Sequence, residues 1–398
     1  MRLLLFCLGC LLITVPEILR VYYIMPFPDS QEDVPTDLRQ VNIAYWLHNN
    51  IWWVRLVGLT FLIGPFIHYV KRSGVWTRLV VLVPVAFGAL VIYAFNFKFM
   101  ADKMFLPPKN KVMQPPVLTD STGNDLAISV EHNGDARAYP IELIGYHHQV
   151  DDTVGGKPVL VTYCTVCRTG RVWDPTVDGR QEHFRLVGMD HFNAMFEDSR
   201  TGSWWRQATG ECIAGPLKGQ TLTEVPSQQM TLSEFVEAHP QGLVMQPDGN
   251  FAEQYKGLAG FDEGTIDSEL EYRDTASWQP KSWVVGVVHN GVARAYDWNE
   301  LLRLGEIADT LGGDTITVSM PVSSVHLDSL GWMHMARDSS GFEVLLLSTT
   351  PLERLVDPTT GEETDAQTTS RTRILSYQEF WHSWRTFHPN TTRYVPER

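Results

Sequence analysis

Cationic charge is scarce in this chain, and the signature motifs of several common enzyme classes are missing. Lys and Arg number 32 against 46 Asp and Glu, a formal net charge of −14, so nucleic acid is a poor candidate partner. There is no Gly-rich phosphate loop, no nucleophile elbow and no His-Glu-x-x-His motif, which leaves nucleotide-binding and hydrolase functions unsupported. The 44% hydrophobic content excludes a disordered or fibrous chain.

Long apolar runs are confined to the first part of the sequence. Residues 3–25, 52–70 and 79–95 each approach the length that spans a hydrocarbon core, which predicts three transmembrane helices. The first run is interrupted at Pro16 and followed by Glu17 and Arg20, which would face each other on a helix. A cleaved signal peptide is the alternative, but without a clear small-x-small cleavage site an uncleaved helix is favoured.

The basic residues of this region predict its orientation. Arg2 precedes the first run and three basic residues lie between positions 71 and 78, whereas four acidic residues lie between positions 29 and 37. The positive-inside rule then places the amino terminus in the cytoplasm and the chain after about Asp102 outside. In a bacterium this means an inner-membrane protein with a periplasmic region, where cysteines meet an oxidising compartment.

The remainder of the chain repeats itself at an offset of 157 residues. Residues 130–139 (VEHNGDARAY) return as 287–296 (VVHNGVARAY), residues 152–156 (DTVGG) as 309–313 (DTLGG) and, with a small shift, residues 198–202 (DSRTG) as 357–361 (DPTTG). Three blocks in one order predict two copies of one fold. The expected organisation is a membrane anchor at 1–100, a linker at 101–117, a first repeat at 118–260 and a degenerate, structural second repeat at 261–398.

The expected fold class is mostly β (α+β), in tandem, after the three transmembrane helices. Asn133-Gly134 and Gly155-Gly156 are strong signals for two-residue hairpin turns. Short helices are predicted at 141–146 and at 232–238, the latter with Thr231 or a neighbour as its cap. The acidic run at 262–271 is expected to be a solvated linker between the repeats.

A cysteine pair distinguishes the first repeat from the second. The 157-residue offset maps Cys164 and Cys167 onto Pro321 and Ser324. In a hairpin that turns at residues 155 and 156, opposed residue numbers sum to 311, so His147 is expected to face Cys164. If the loop is longer, His148 takes that place. The spacing therefore predicts a Cys/His centre, with Cys212 as a further ligand or a resolving thiol.

Several chemistries remain open for this centre. Covalent c-type haem is excluded because Arg168 follows the second cysteine where a His is required. Thiolates with imidazole suit zinc, iron or copper, and the same two sulfurs could act as a redox pair or as a structural disulfide. Met189, His191 and Met195 would add soft ligands that favour copper, but residues of this kind in an apolar segment are more often core.

Taken together, residues 136–140, 150–156, 161–167 and 202–217 with His147 resemble the bacterial family of unknown function DUF3179 over roughly residues 120 to 395. The resemblance implies a secreted or membrane-anchored protein with a His before the Gly-Gly turn and a cysteine pair after it, here His147, Cys164 and Cys167. At Cys212 the chain departs from the family's usual apolar or small residue. The resemblance supplies no activity.

Two hypotheses follow, and the sequence does not decide whether the chain is an enzyme. The first is a membrane-anchored periplasmic protein with a Cys/His metal-binding or thiol-redox centre, including copper handling for membrane electron-transfer proteins. The second is an accessory or scaffolding subunit that docks on a membrane complex through its Trp-rich surface and its hydrophobic spans, with a merely structural metal or disulfide site.

Overall fold

The structure is a computed structural model of the full chain. It describes residues 1–27, 30–31, 38–117, 125–319, 325–327, 333–335, 343–350, 355–356, 363–364 and 368–396. The four acidic residues between positions 29 and 37, the positions Pro321 and Ser324, and the block at 357–361 lie outside the described residues.

The helices of the described part are α1 (Arg2–Tyr22), α2 (Arg39–Arg72), α3 (Val75–Phe97), α4 (Ala101–Met104), α5 (Ile141–His147), α6 (Leu232–Ala238), α7 (Ala252–Lys256), α8 (Trp298–Leu304) and α9 (Trp381–Phe387), with a 3-10 turn at Gly249–Phe251.

The strands are short and are spread over the soluble region. They are β1 (Met113–Gln114), β2 (Leu126–His132), β3 (Asp135–Pro140), β4 (Gln149–Val154), β5 (Lys157–Cys164), β6 (Thr169–Trp173), β7 (Thr176–Val177), β8 (Arg180–Gln181), β9 (Phe184–Asp190), β10 (Asn193–Asp198), β11 (Trp204–Arg206), β12 (Cys212–Ala214), β13 (Ser227–Thr231), β14 (Leu243–Met245), β15 (Trp283–His289), β16 (Val292–Asp297), β17 (Glu306–Leu311), β18 (Asp314–Ser319), β19 (Val325–Leu327), β20 (Met333–Met335), β21 (Glu343–Thr350), β22 (Leu355–Val356), β23 (Glu363–Thr364), β24 (Thr368–Arg373), β25 (Ser376–Phe380) and β26 (Thr392–Arg393).

The chain forms two compact units. The first unit comprises residues 1–107 and 175–223, and the second comprises residues 108–174 and 224–398. The three apolar helices at the amino terminus and the sheet-rich soluble region are therefore as expected. The segment 175–223, however, belongs to the same unit as the helices.

In the first unit, α1, α2 and α3 are each long and apolar enough to cross a membrane. Helix α2 begins well before the predicted apolar run, at Arg39. Helices α1 and α2 approach closely where both have a glycine, because a Cβ on Gly9 would lie 2.8 Å from the backbone nitrogen of Leu62 and a Cβ on Gly58 would lie 2.7 Å from Ile13 Cγ1.

A sheet of order β12-β11-β10-β9 packs on these helices within the first unit. Buried side chains from the end of α1 and the start of α2 meet buried side chains of the sheet in one apolar core, which contains Ile24, Val41, Ala44, Val187, Met195, Trp204, Ile213 and Ala214. A backbone hydrogen bond also joins the sheet to the segment that follows α1, since the amide of Met189 in β9 donates to the carbonyl of Ile24 at 2.6 Å. The sheet is thus fixed to one end of the helix bundle.

The second unit contains two sheets with corresponding strand orders. One is β1-β14-β3-β2-β13 and the other is β25-β15-β16-β26. Each sheet has a central antiparallel hairpin, β2–β3 in the first and β15–β16 in the second. The first strand of the hairpin pairs antiparallel with the strand that precedes a short helix, β13 or β25. The second strand of the hairpin pairs parallel with the strand that follows that helix, β14 or β26. The unit also contains a three-stranded sheet of order β4-β5-β6, a four-stranded sheet of order β17-β18-β21-β24 and the two-stranded sheets β19-β20 and β22-β23.

Both predicted hairpin turns of the first half are confirmed. Asn133 and Gly134 have φ angles of 50° and 79°, and Gly155 and Gly156 have φ angles of 53° and 84°. Glycine is required at position 155, since a Cβ there would lie 2.0 Å from the carbonyl oxygen of His132. Helix α6 has the predicted bounds, and Thr231 caps it in a reciprocal capping box with Glu234.

The sequence blocks that occur twice make matching hydrogen bonds. Asp152 accepts from Arg137 Nη1 and from the Tyr139 hydroxyl, both at 2.7 Å. Asp309 accepts from Arg294 Nη1 at 2.5 Å and from the Tyr296 hydroxyl at 2.7 Å. The Ala-Arg-Ala-Tyr and Asp-Thr-x-Gly-Gly blocks therefore tie the central hairpin of each large sheet to the hairpin that follows it, which is a structural role.

Candidate functional site

The two cysteines of the second unit lie at a tight turn. Cys164 is the last residue of β5, and Cys167 lies in the turn that leads into β6. Arg168, next in sequence, has a φ of +56°, and its amide donates to the Thr165 carbonyl at 3.2 Å. Both cysteines are fully buried and not disulfide-bonded. The pair therefore spans the end of one strand and the turn into the next.

Residues from the second half of the unit cover this turn. The Phe380 amide donates to the Cys167 carbonyl at 3.0 Å. Lys281 Nζ donates to the Val166 carbonyl at 2.6 Å and to the Leu270 carbonyl at 2.7 Å. His382 Nε2 lies 3.2 Å from the same Val166 carbonyl. The sulfurs are consequently shielded from solvent by chain that lies more than a hundred residues away in sequence.

Burial dominates the electrostatics of the pair. It raises the pKa of the Cys167 thiol well above its usual value, and a hydrogen bond with the Cys164 side chain raises it further. The Lys281 ammonium and a hydrogen bond with the Ser383 hydroxyl oppose this effect. The pKa of Lys281 is itself lowered by burial, while the two cysteines act to raise it. Under this cover the Cys167 sulfur is thus held as a thiol, next to a cation able to stabilise a thiolate.

His382, which lies over the cysteine turn, carries no charge there. Burial lowers its pKa to about 3, and the Lys281 charge lowers it further. Its imidazole is neutral at any pH near 7.

His147 lies on a helix rather than on the strand opposite Cys164. The register is as predicted, with Gln149 opposite Thr162 and Val154 opposite Lys157, but β4 begins only at Gln149 and His147 is the last residue of α5. Its Nε2 lies 2.7 Å from the Tyr255 hydroxyl. The helix continues one residue beyond the predicted end, so His147 is positioned by helical and not by strand geometry.

His148 ends helix α5 in the left-handed conformation, with a φ of +61°. Its carbonyl accepts from the Tyr163 amide at 3.0 Å, which extends the β4–β5 ladder by one pair. Burial lowers the pKa of its imidazole to about 4. Across the described ranges, no group of three or more His, Cys, Asp or Glu side chains is placed to hold a metal ion.

Cys212 belongs to the first unit, whereas Cys164 and Cys167 belong to the second. It is the first residue of β12, is fully buried, and its Sγ donates to the Ala214 carbonyl at 3.5 Å. Burial raises its pKa to about 11. Met189 and Met195 are also buried, and Met195 is part of the apolar core on the helices, which agrees with the interpretation of these methionines as core.

The acidic run at 262–271 was expected to be solvated, and this prediction is wrong at its first residue. Asp262 Oδ2 accepts from the Leu126 amide at 2.9 Å, and Oδ1 is buried without a partner in the part of the chain that the structure describes. Burial raises the pKa of this carboxyl to about 7, although the nearby Arg168 charge acts to lower it. One oxygen of a half-buried acidic side chain is thus withdrawn from water, because Phe261, beside it, packs into the core.

Arg168 and Arg171 flank the cysteine turn and were not identified as site residues from the sequence. The Arg168 guanidinium lies 3.8 Å from the Trp283 ring and donates to the Phe261 carbonyl at 3.2 Å. Arg171 forms an almost completely buried ion pair with Glu379. Arg168 directly precedes the buried strand β6 and Arg171 lies within it. Buried arginines need nearby carboxylates or other acceptors, but the sequence does not reveal which acidic residues pair with them.

Comparison with known proteins gives one match. The model of a family described as "Protein of unknown function (DUF3179)" matches residues 110–391. Neither the comparison with curated proteins nor the comparison with solved structures finds a match. Because the family model covers well over half of the chain, including both cysteines of the turn, the chain belongs to the DUF3179 family.

Proposed function

We propose that this chain is a protein of the bacterial inner membrane whose periplasmic region carries a dithiol–disulfide centre at Cys164 and Cys167. The observation that carries the proposal is the pair itself: two buried sulfurs on one tight turn, hydrogen-bonded to each other. A Cys-x-x-Cys disulfide closes a loop too small to stabilise the fold much, so redox work explains such a pair better than structural cross-linking does.

Membrane anchoring is supported by the three long apolar helices. The basic loop at 71–78 lies at the far end of α2 from the residues, Val41 and Ala44, that pack on the sheet of the first unit. Since basic loops are retained in the cytoplasm, the sheet and the rest of the soluble region belong on the periplasmic side. The amino terminus, at the same end as the basic loop, is then cytoplasmic.

We further propose that residues 118–260 and 261–398 are two copies of one fold. Supporting this are the matching strand orders of the two large sheets and the matching bonds from Arg137 and Tyr139 and from Arg294 and Tyr296. The side chains of Gln229 and Gln378 also form a hydrogen bond with each other. Gln229 is the central residue of β13 and Gln378 is the central residue of β25, and each of these edge strands leads into a short helix. Such self-pairing of equivalent positions is typical of a pseudo-two-fold axis.

The proposed chemistry is thiol–disulfide exchange with a disulfide of a partner protein. One cysteine loses its proton and attacks the partner's disulfide, which gives a mixed disulfide and one partner thiolate. The second cysteine, also deprotonated, displaces the remaining partner thiolate, so the Cys164–Cys167 disulfide forms, the partner is reduced by two electrons, and two protons move to the partner. Because both sulfurs are buried and the Cys167 thiol is held protonated, this step requires the Lys281 and Phe380 contacts to open.

A thiol-bound metal is the competing use of the same sulfurs, with His147, His148 and Cys212 as the further ligands expected from the sequence. The described residues supply no third ligand beside the pair, so we favour the dithiol. Docking through a Trp-rich surface of the sheet-rich region has less support, because Trp204, Trp205, Trp283, Trp298 and Trp384 are all fully buried.

Counting trappable thiols in the full-length protein tests the proposal. After equilibration in glutathione redox buffers and acid quenching, denatured protein is labelled with a maleimide that shifts its mass. We expect exactly one transition, in which two thiols disappear together on oxidation and return with reductant. Cys164→Ser and Cys167→Ser should each abolish that transition, and the matched control Cys212→Ser should retain it.

Two results would contradict the dithiol proposal. One is that both thiols remain trappable across the whole redox titration. The other is a stoichiometric metal, found by elemental analysis of the same preparation, that is lost in Cys164→Ser but not in Cys212→Ser.

A further inference from the structure

A buried polar cluster joins the three apolar helices. The Glu17 side chain of α1 is fully buried and accepts from Arg20 Nε at 3.1 Å, from Arg55 Nε of α2 at 2.5 Å and from Asn96 Nδ2 of α3 at 3.1 Å. The predicted pairing of Glu17 with Arg20 is thereby confirmed. Ionisable residues inside a membrane are costly and usually mark a functional site.

The cluster has unbalanced charge. It contains one carboxylate and two guanidinium groups, a formal excess of one positive charge. Arg55 donates through Nε to Glu17 and through Nη2 to Asn96 Oδ1 at 2.9 Å. Within the described ranges Arg55 makes these two hydrogen bonds, so its Nη1 is available to a further acceptor. The guanidinium also lies 4.5 Å from the Trp52 ring.

An apolar groove opens beside Arg55. It has a volume of about 480 Å³ and is lined by Arg55 together with Ile13, Trp53, Leu56, Leu59 and Ile92, among others. This volume lies in the range of about 300–1,000 Å³ that is usual for ligand sites. The groove thus combines long apolar walls with one cationic group.

Helix geometry orders the groove along the membrane normal. Helix α2 runs antiparallel to α1, because Arg2 Nη1 lies 3.2 Å from His68 Nε2 while Glu17 bonds Arg55. Leu59, Ile13 and Ile92 each lie four residues deeper than Arg55, Glu17 and Asn96 respectively, which is about 6 Å along the axis.

The polar cluster is expected at the outer edge of the hydrocarbon core, next to the headgroups. Arg55 is 17 residues from Arg72 at the far end of α2, or about 25 Å of helix, against a hydrocarbon core of about 30 Å. The exposed Trp52 and Trp53 beside it are typical of the membrane–water interface.

We propose that this groove binds one anionic phospholipid, with its phosphate on Arg55 and an acyl chain along Ile13, Leu59 and Ile92. Guanidinium groups bond phosphate oxygens strongly, and the excess positive charge of the cluster favours an anionic over a zwitterionic headgroup. The inference rests on the membrane anchoring proposed above and is independent of the cysteine pair.

Native mass spectrometry of the full-length protein from detergent micelles tests this site. Delipidated protein is mixed with dioleoyl phosphatidylglycerol or with dioleoyl phosphatidylcholine at equal concentration. We expect retention of one phosphatidylglycerol, with about tenfold preference over phosphatidylcholine, or about 1.4 kcal/mol. Both lipids carry a phosphate, so the preference comes from the choline ammonium, which the excess positive charge of the cluster repels. Leu59→Trp should fill the groove while leaving every residue of the ionic cluster in place, and should lower the retention of phosphatidylglycerol about tenfold. Val83→Trp, at a position 66% exposed on α3 and outside the groove lining, is the matched control and should change nothing.

Three results would overturn the lipid site: equal retention of the two lipids, unchanged retention in Leu59→Trp, or preferential retention of a neutral isoprenoid quinone. Each variant is first checked for an unchanged helical circular dichroism signal. Anchoring is read separately, from recovery of the chain in alkaline-washed membranes. Protein in the soluble fraction would refute the anchoring, whereas anchored protein without lipid preference would refute only the lipid site.

Discussion

Glu379→Gln should destabilise the second unit far more than the same change at an exposed ion pair. Glu379 and Arg171 are 1% and 3% exposed, so removal of the carboxylate leaves a guanidinium buried without its counter-charge. Breaking such a pair costs about 3–5 kcal/mol. The Tyr377 ring at 3.7 Å and the Gly170 carbonyl at 2.8 Å remain beside Arg171, so we expect a value near the lower end, about 3 kcal/mol.

Urea unfolding of the full chain in detergent, followed by tryptophan fluorescence, measures this change. With a slope of about 1–3 kcal/mol per molar urea, the midpoint should fall by at least about 1 M. The double variant Arg171→Met/Glu379→Gln should regain most of the loss, because the buried guanidinium is removed together with its partner carboxylate and Glu224 keeps its hydrogen bond from the Tyr377 hydroxyl. Glu300→Gln, which breaks the pair with the 63% exposed Arg303, is the control and should cost less than about 0.5 kcal/mol.

The same substitution links stability to the cysteine turn. Glu379 directly precedes Phe380, whose amide holds the Cys167 carbonyl, so Glu379→Gln should also speed alkylation of Cys167 in native protein. A loss of stability within about 0.5 kcal/mol of the Glu300→Gln control, or a double variant as unstable as the single one, would refute the reasoning that the pair holds the two halves of this unit together.

Two further predictions concern the second unit. Gly286→Ala places a Cβ 2.2 Å from Trp384 Cε3, and this overpacking should lower the free energy of unfolding in urea by about 1–3 kcal/mol. Gly249→Ala, where a Cβ meets open space, should be tolerated. Equal unfolding midpoints for the two variants would contradict this. The Asp262 pKa of about 7 lies above its usual value of 3.8, so the folded state retains a proton that the unfolded state loses, and stability should fall as pH rises from about 4 to about 7. Asp262→Asn should remove that part of the pH dependence, and midpoints that fall equally in both proteins between pH 5 and pH 8 would contradict the assignment.

Local signals predicted much of the fold. Asn-Gly and Gly-Gly turns require positive φ, which few other pairs tolerate, so both hairpins and the 311 register followed from the sequence. Apolar run length identified the three membrane-type helices, and the Thr231 cap identified α6. The hairpin register was wrong in placing His147 on the strand, because a periodicity of two cannot show where a helix ends and a strand begins.

What the sequence determined by itself was therefore the three long apolar helices, the turns and the Cys-x-x-Cys motif, since each depends on residues adjacent in the chain. Tertiary structure alone decided that residues 175–223 pack with the helices, that Lys281 and Phe380 cover the cysteine turn, and that Arg55 pairs with Glu17 across two helices. These contacts join residues far apart in the chain. Their partners are selected by burial and charge compensation over the whole fold, and no local pattern records that selection.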